Sequence, residues 1–296
     1  MTAEPRDIAA SQPPMFRNTP MQPRAWRELL VNDDVAAIES DAGALLLTLD
    51  EGQLNLHYGF ADLEEMRLSF IPMFDELKDE IDSFDADYVR IDLVQVPDRT
   101  WTEPLLYQTD FKEFGEWMDM VNAELDPEMP PPEFPSDVTM RRATPGDVEA
   151  IVELESDAYG TFSDGEAATL ARLEAAGWVG VLEQDGEIIA YAANAEVERG
   201  VGRVVSCGVH PEDRGNGYGK LILQAATYQL VANDARRASV RVRPELPASL
   251  RVTQAAGYRP DLRGIEWRRH ADEDEVAADR LALRLNGVKA RFGDWR

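Results

Sequence analysis

The order of hydrophobic patterns predicts an α+β chain in two parts. Three observations carry this expectation. A length of 296 residues with a hydrophobic fraction of 44% exceeds one small domain and suits two. Period-two and 3.6-period stretches succeed one another in both halves. Between them Asp126 to Pro135 holds five prolines, which fix φ and remove amide donors, so a stiff linker is expected over 126–136.

In the first half, residues 1–23 are rich in Pro, Gln, Ser and Asn and predict an irregular arm. Ala44–Leu49 and Gln53–Tyr58 alternate around Asp50, Glu51 and Gly52, the pattern of a hairpin. Leu63, Met66, Phe70, Phe74, Leu77 and Ile81 recur at helical spacing within Ala61–Phe84, with a bend or interruption expected at Pro72. Tyr88–Val94 alternates as a strand, and Phe111–Met120 suits a strand or a short helix. These elements predict a small α+β domain over 24–125.

The second half reads strand, helix, three strands, helix, strand, helix, strand over 137–269. Val138–Arg142 is strand-like, and Thr144 with Pro145 marks a helix start ahead of Ile151 and Leu154. Trp178–Glu183 and Ile188–Glu196 form a hairpin around Asp185 and Gly186, followed by the strand Arg203–Val209. The helix Gly219–Val231, strand Ser239–Val242, helix Ala248–Ala256 and strand Ile265–Arg268 complete the order. Residues 270–296 begin acidic and end basic, which favours a C-terminal helix.

The bulk chemistry excludes several classes. No apolar run reaches the ~20 residues of a membrane helix, and no apolar signal core precedes Pro23, so a cytoplasmic protein without a membrane partner is expected. The single cysteine, Cys207, excludes an intrachain disulfide and a multi-cysteine zinc site. The net charge is −26, and residues 1–135 hold 30 acidic and 9 basic side chains. Such a field repels nucleic acid and attracts cations.

The chemistry concentrates in Val204–Lys220. A strand enters a turn at His210 and Pro211, and a glycine-dense loop (Arg214, Gly215, Asn216, Gly217, Tyr218, Gly219) opens a helix. A helix start presents unpartnered amides and the positive end of a dipole, an anion site suited to pyrophosphate. A nucleotide P-loop requires Ser or Thr after the lysine, where Leu221 follows Lys220. A dinucleotide fingerprint opens a domain, whereas this loop comes late in one.

The run from Val209 to Gly219, with Pro211, Arg214, Gly215, Gly217 and Gly219 at their spacings, resembles the acetyl-CoA-binding motif of the GNAT acetyltransferase superfamily. The resemblance covers about half the chain. It implies a mixed, mostly antiparallel central sheet flanked by helices, with acetyl-CoA as co-substrate. It implies that Cys207, Gly208 and Val209 pair with the pantetheine arm, that amides from Arg214 to Gly219 hold the pyrophosphate, and that an amine attacks the thioester. GNAT enzymes often place a proton-donating tyrosine ahead of a Gly-aromatic pair. Aligned on Gly257 and Tyr258, that position is Thr253, and the family's asparagine position is Leu246. Glu196 and Glu198 are the candidate catalytic bases near the end of the third strand of this half.

The first half repeats part of this order and resembles a degenerate GNAT copy, as in mycothiol synthase, with Asp62, Glu64 and Glu65 where a phosphate loop would lie. The expected function is acetyl transfer to a primary amine, a small cationic acceptor or basic peptide. The alternative is a non-catalytic acyl-CoA-binding or sensing protein.

Overall fold

The computed structural model describes residues 16–18, 26, 36–50, 53–81, 88–94 and 99–270. They divide into two compact units that interleave in sequence: one takes residues up to Gly115 and again from Gly264, the other Glu116–Arg263. The boundaries 24–125 and 137–269 read from sequence differ from this division, because two strands each change unit along their length.

In the first unit, β1 (Phe16–Arg17), β2 (Ala36–Ser40), β3 (Gly43–Asp50), β4 (Gln53–Phe60) and β5 (Tyr88–Val94) accompany α1 (Leu63–Ile81) and α2 (Arg99–Gln108). β2, β3 and β4 form an antiparallel meander, and β5 joins β4 in parallel. Alternation places Leu45, Leu47, Leu54 and Leu56 on one face, against Phe70, Phe74 and Leu77 of α1. The helix runs unbroken through Pro72, which lies on its exposed side while Met73 and Phe74 are buried. The missing amide bond therefore faces solvent, and the expected interruption does not occur.

Three first-half elements escaped the sequence pattern, and β2, with the short run Ala36–Ser40, is one of them. α2 carries Pro104 and polar residues, yet it buries Leu105 and Leu106. Phe16–Arg17, within the arm expected to be irregular, pairs antiparallel with Phe60 and Gly59 of β4. Backbone pairing with an open strand edge needs no hydrophobic alternation, so composition gave no sign of it.

The last strand of this unit comes from the far end of the chain. β12 (Arg259–His270) contributes Gly264–His270, antiparallel to Tyr88–Val94. It brings Ile265 and Trp267 into the same core as α1. Residues 271–296, expected to form a helix, lie outside the described residues.

The second unit receives the far part of β6 (Lys112–Asn122), whose residues 118–122 pair antiparallel with β11 (Arg237–Val242). β7 (Val138–Arg142), β8 (Trp178–Gln184), β9 (Glu187–Asn194) and β10 (Val201–Val209) form an antiparallel meander. β10 then meets β11 in parallel. Alternation sorts two cores. Tyr191 and Val181 pack with Ile151 and Leu154 of α3 (Val148–Tyr159). Leu182, Ala190 and Ala192 pack with Ile222, Leu223 and Ala226 of α5 (Tyr218–Ala232). The remaining helices are α4 (Glu166–Ala175) and α6 (Pro247–Ala255). α4 was not anticipated, since its alanine-rich sequence shows little apolar periodicity.

Thr144 and Asp147 fix the entry to α3. The Thr144 amide donates to Asp147 Oδ2 at 2.7 Å, and Arg141 Nη1 meets the same oxygen at 2.7 Å. These contacts hold the Asp147 carboxyl well below its ordinary range, with the Arg141 hydrogen bond the largest cause.

Trp267 is fully buried in the first unit's core although it lies near the chain's far end. Trp267→Ala is expected to cost about 3–5 kcal/mol of unfolding free energy, measured by urea denaturation. A loss below about 1 kcal/mol would exclude this strand from the core.

Candidate active site

The site begins with a strand that leaves its neighbour. β10 and β11 pair only from Val201↔Arg237 to Val204↔Val240, and a register shift follows between Val204 and Ser206. Which polar groups of β10 face the gap follows from antiparallel geometry. His210 donates to Ile189 O at 2.9 Å, and hydrogen-bonded pairs alternate with non-bonded ones. In this register Gly208 and Ser206 therefore exchange bonds with β9, while the amides and carbonyls of Cys207 and Val209 point away from it. This is the edge along which an extended amide chain adds as a strand would. One partner is in place: the Tyr159 hydroxyl donates to Cys207 O at 2.7 Å.

Beyond Val209 the chain makes a 3₁₀ turn over Pro211–Asp213 and reaches α5 through Gly215 (φ +91) and Gly217 (φ +88). A Cβ at either position would meet nothing within 4 Å, so positive φ, not crowding, calls for glycine there. Among the described residues no group accepts from the amides of 215–219, while Lys220 and Leu221 already donate to Gly217 O. Five amides at a helix start, with no carboxylate capping them, fit a pyrophosphate. Arg214 takes the structural role: its Nη2 donates to Ala158 O at 2.8 Å and ties the loop to the end of α3. Asn216 Nδ2 bonds Asp213 O at 3.3 Å, and Tyr218 OH bonds Gln184 Oε1 at 3.3 Å. The nine residues read from sequence as a cofactor site thus lie along one stretch from β10 into α5, but the main chain of Gly208, expected to meet the pantetheine arm, is turned to β9.

The two carboxylates chosen as bases are not brought to that strip. Glu196 and Glu198 are exposed in the turn between β9 and β10, where Glu198 bridges Val201. The nine residues of β10 put roughly 25–30 Å between that end and Val209. The misplacement arises because β9 ends at Asn194, so both residues belong to the turn.

A different carboxylate lies beside the strip. Glu155 of α3 is buried, and its Oε2 accepts from Ser206 Oγ at 3.0 Å and from the Tyr191 hydroxyl. Arg172 of α4 donates to Glu155 Oε1 at 3.2 Å and to Asp164 at 2.5 Å. Burial pushes the Glu155 carboxyl up to about 7, and the Arg172 charge pulls against that rise. The sequence did carry a signal: Glu155 falls four residues after Ile151, on the apolar stripe of its helix. Gly208 lies over this cluster, where a Cβ would come within 2.9 Å of the Tyr191 ring.

Three other polar side chains near the strip have simple surroundings. Burial pushes the Cys207 thiol up to about 12, so it is no nucleophile at neutral pH. Thr253 is buried, and its Oγ1 lies 3.0 Å from both Ser249 O and Leu250 O, a helix-internal arrangement without a proton to spare for the cleft. His210 sits between Asp157 and Asp213 at 3.9 and 3.7 Å.

A splayed parallel pair followed by an open helix start has the shape and the free amides that suit an acyl-CoA. Residues 148–258 match the model of the Acetyltransferase (GNAT) family. Residues 148–258 therefore form a GNAT acetyltransferase domain, of a family that takes its acyl group from acetyl-CoA. Solved structures with the same fold include a GCN5-related N-acetyltransferase from Kribbella flavida, at 19% identity and TM-score 0.57, covering 83% of this chain and 93% of that one. Another from Sphaerobacter thermophilus matches at 19% identity and TM-score 0.55, covering 77% and 76%. A tandem GNAT protein from the clavulanic acid biosynthesis pathway matches at 15% identity and TM-score 0.55, covering 81% and 84%. No curated protein sequence matches the chain. Among the described residues no helix is long and apolar enough to cross a membrane, and no cluster suits a metal ion.

Gly217→Asp tests the loop, since it sets a Cβ on a left-handed backbone and a carboxylate beside the free amides. The folded variant is expected to lose the rise in melting temperature that acetyl-CoA gives the parent protein, read by differential scanning fluorimetry. Unchanged cofactor affinity would remove the loop from the site. Thr253→Ala is expected to change the turnover rate by less than about tenfold, against the ~10²–10⁴-fold loss that follows removal of a general acid.

Proposed function

We propose that this chain is an acetyl-CoA-dependent N-acetyltransferase that acetylates a primary amine on a small cationic acceptor. The observation that carries the reading is the continuity of the strip: an unpaired strand edge at Cys207 and Val209 runs into five free amides at 215–219. When bound, acetyl-CoA supplies an activated acetyl thioester at the strand end of that strip. The rest of the chemistry falls to the chain's own residues.

An amine must lose a proton to become a nucleophile, and Glu155 is the acceptor we assign. Ser206 Oγ, on the splayed strand, gives its proton to Glu155 Oε2 as it takes one from the ammonium side, directly or through water. Glu155 accepts only when ionised, so activity should rise with pH through about 7. Glu196 and Glu198 stand too far along β10 for this task. The leaving thiolate takes its proton from solvent, as Thr253 is committed to its own helix.

The acidity of the chain supports a cationic acceptor, because residues 1–135 alone carry 30 acidic and 9 basic side chains. We read the fold as duplicated, with a cofactor site kept in the second unit alone. Gly257 (φ +93) precedes buried Tyr258, whose amide bonds Thr253 O at 3.0 Å. In the first unit Asp110 (φ +64) precedes buried Phe111, whose amide bonds Leu106 O at 2.9 Å. The helix start of that unit is closed, however: Asp62 Oδ1 accepts the Glu65 amide at 2.9 Å, and Glu64 and Glu65 follow in the first turn.

The test is thiol release from acetyl-CoA in the presence of polyamines, aminoglycosides and lysine-containing peptides. Acetylation of at least one amine is expected, with kcat/KM rising through about pH 7 and this inflection absent in Glu155→Gln. Tight acetyl-CoA binding with no acceptor turned over would favour the acyl-CoA-binding or sensing alternative. An unaltered pH profile in folded Glu155→Gln would reassign the base.

A further inference from the structure

We propose that the chain's own segment at Asn18 fills a cleft in the first unit that corresponds to the acyl-CoA cleft of the second, and so stands in for a pantetheine arm. The proposal rests on the duplicated-fold reading and goes beyond it by naming what occupies the vestigial cleft.

The cleft is defined by the same departure of strands. β4 and β5 pair only at Leu54↔Val89 and Asn55↔Arg90, and then part. Their order is also the same, a strand leading through a long helix to a parallel neighbour. If the last residues of β4 and β10 are matched, Phe60 corresponds to Val209, Gly59 to Gly208 and Tyr58 to Cys207. Tyr58 thus holds the place of a residue whose main chain faces the gap in the second unit.

In the first unit that gap is occupied. Asn18 is fully buried. Its Nδ2 donates to Leu56 O at 3.1 Å and its Oδ1 accepts from the Tyr58 amide at 2.8 Å. Its carbonyl accepts from the Val94 amide at 3.0 Å, at the end of β5. One residue therefore satisfies both parted strands. A carboxamide presents one acceptor and one donor to main-chain groups two residues apart, as the secondary amides of pantetheine would along such an edge. Phe16 and Arg17 continue the seal by pairing with Phe60 and Gly59.

The phosphate end is closed independently by the Asp62 cap. Asparagine suits the position on physical grounds. Aspartate would bury a charge, and an apolar residue would leave the Tyr58 amide and Leu56 carbonyl without partners.

Hydrogen exchange resolved to peptides tests this on the full chain, with pantetheine as the probe because it lacks the phosphates that Asp62, Glu64 and Glu65 repel. In the parent protein, pantetheine at millimolar concentration is expected to leave exchange in 54–60 unchanged. Asn18→Ala is expected to lower Tm on the order of 5 °C and to speed exchange in 54–60. Pantetheine should then slow it again. Asn18→Ser, which keeps one polar atom, serves if the alanine variant does not fold. Protection of 54–60 by pantetheine in the parent protein would overturn the proposal, since the cleft would be open. Unaltered exchange in the variants, or fast exchange that pantetheine does not slow, would overturn it too. Protection of 204–209 by acetyl-CoA, followed in the same samples, reports separately on the proposed function.

Discussion

Two parallel strands that part leave backbone groups which must find other partners, and much of this molecule is arranged around that requirement. Buried amides and carbonyls are costly when unmet, so a splayed pair is stable only if something else bonds its inner edges. In the second unit the edge at Cys207 and Val209 keeps an amide and carbonyl strip directed away from β9, touched by the Tyr159 hydroxyl. The glycines at 215 and 217 extend that requirement into a helix start. A ligand rich in amides and ending in phosphates answers both needs at once.

The two units solve one geometric problem with opposite chemistry. Where the second leaves the first turn of α5 uncapped, the first supplies Asp62 to the start of α1. Eight residues, 210–217, separate β10 from α5, whereas only Ala61 and Asp62 separate β4 from α1. The shorter connection has no room for a phosphate-binding loop. Buried charge is likewise placed with care beside the open strip: Glu155 joins α3, α4, β9 and β10 through Arg172, Tyr191 and Ser206. It is therefore both a structural tie and the nearest carboxylate with a raised affinity for protons.

The shape of the strip proposed for the cofactor was legible because glycine, proline and arginine at fixed spacings report on backbone shape, and open backbone amides are what a phosphate would meet. The side chains proposed for proton transfer were less legible. Glu196 and Glu198 stood out as acids near a strand end, but a two-residue error in that end moved them into a turn. Glu155 was hidden among the several acids of its helix, and only its position on the apolar stripe distinguishes it. Apart from α4, the element order of the second half was readable from period, capping and turn residues, while α2 and α4, rich in polar residues and alanine, were not. No periodicity reports that Phe16–Asn18 fills a gap, or that β12 ends in a different unit from the one where it begins. Those depend on partners about 40 to about 180 residues away along the chain.

The exchange of strands also bears on how the protein comes into being. Ile265 and Trp267 belong to the core built by residues 45–111, yet a ribosome makes them more than 150 residues later. A nascent chain thus holds Leu45, Leu56 and Phe74 ready while the rest of the protein is still being translated. Among the described residues, those of the second unit, 116–263, are all made before Gly264–His270 of the first. For the described residues, the order in which the units begin and the order in which they are completed are therefore inverted.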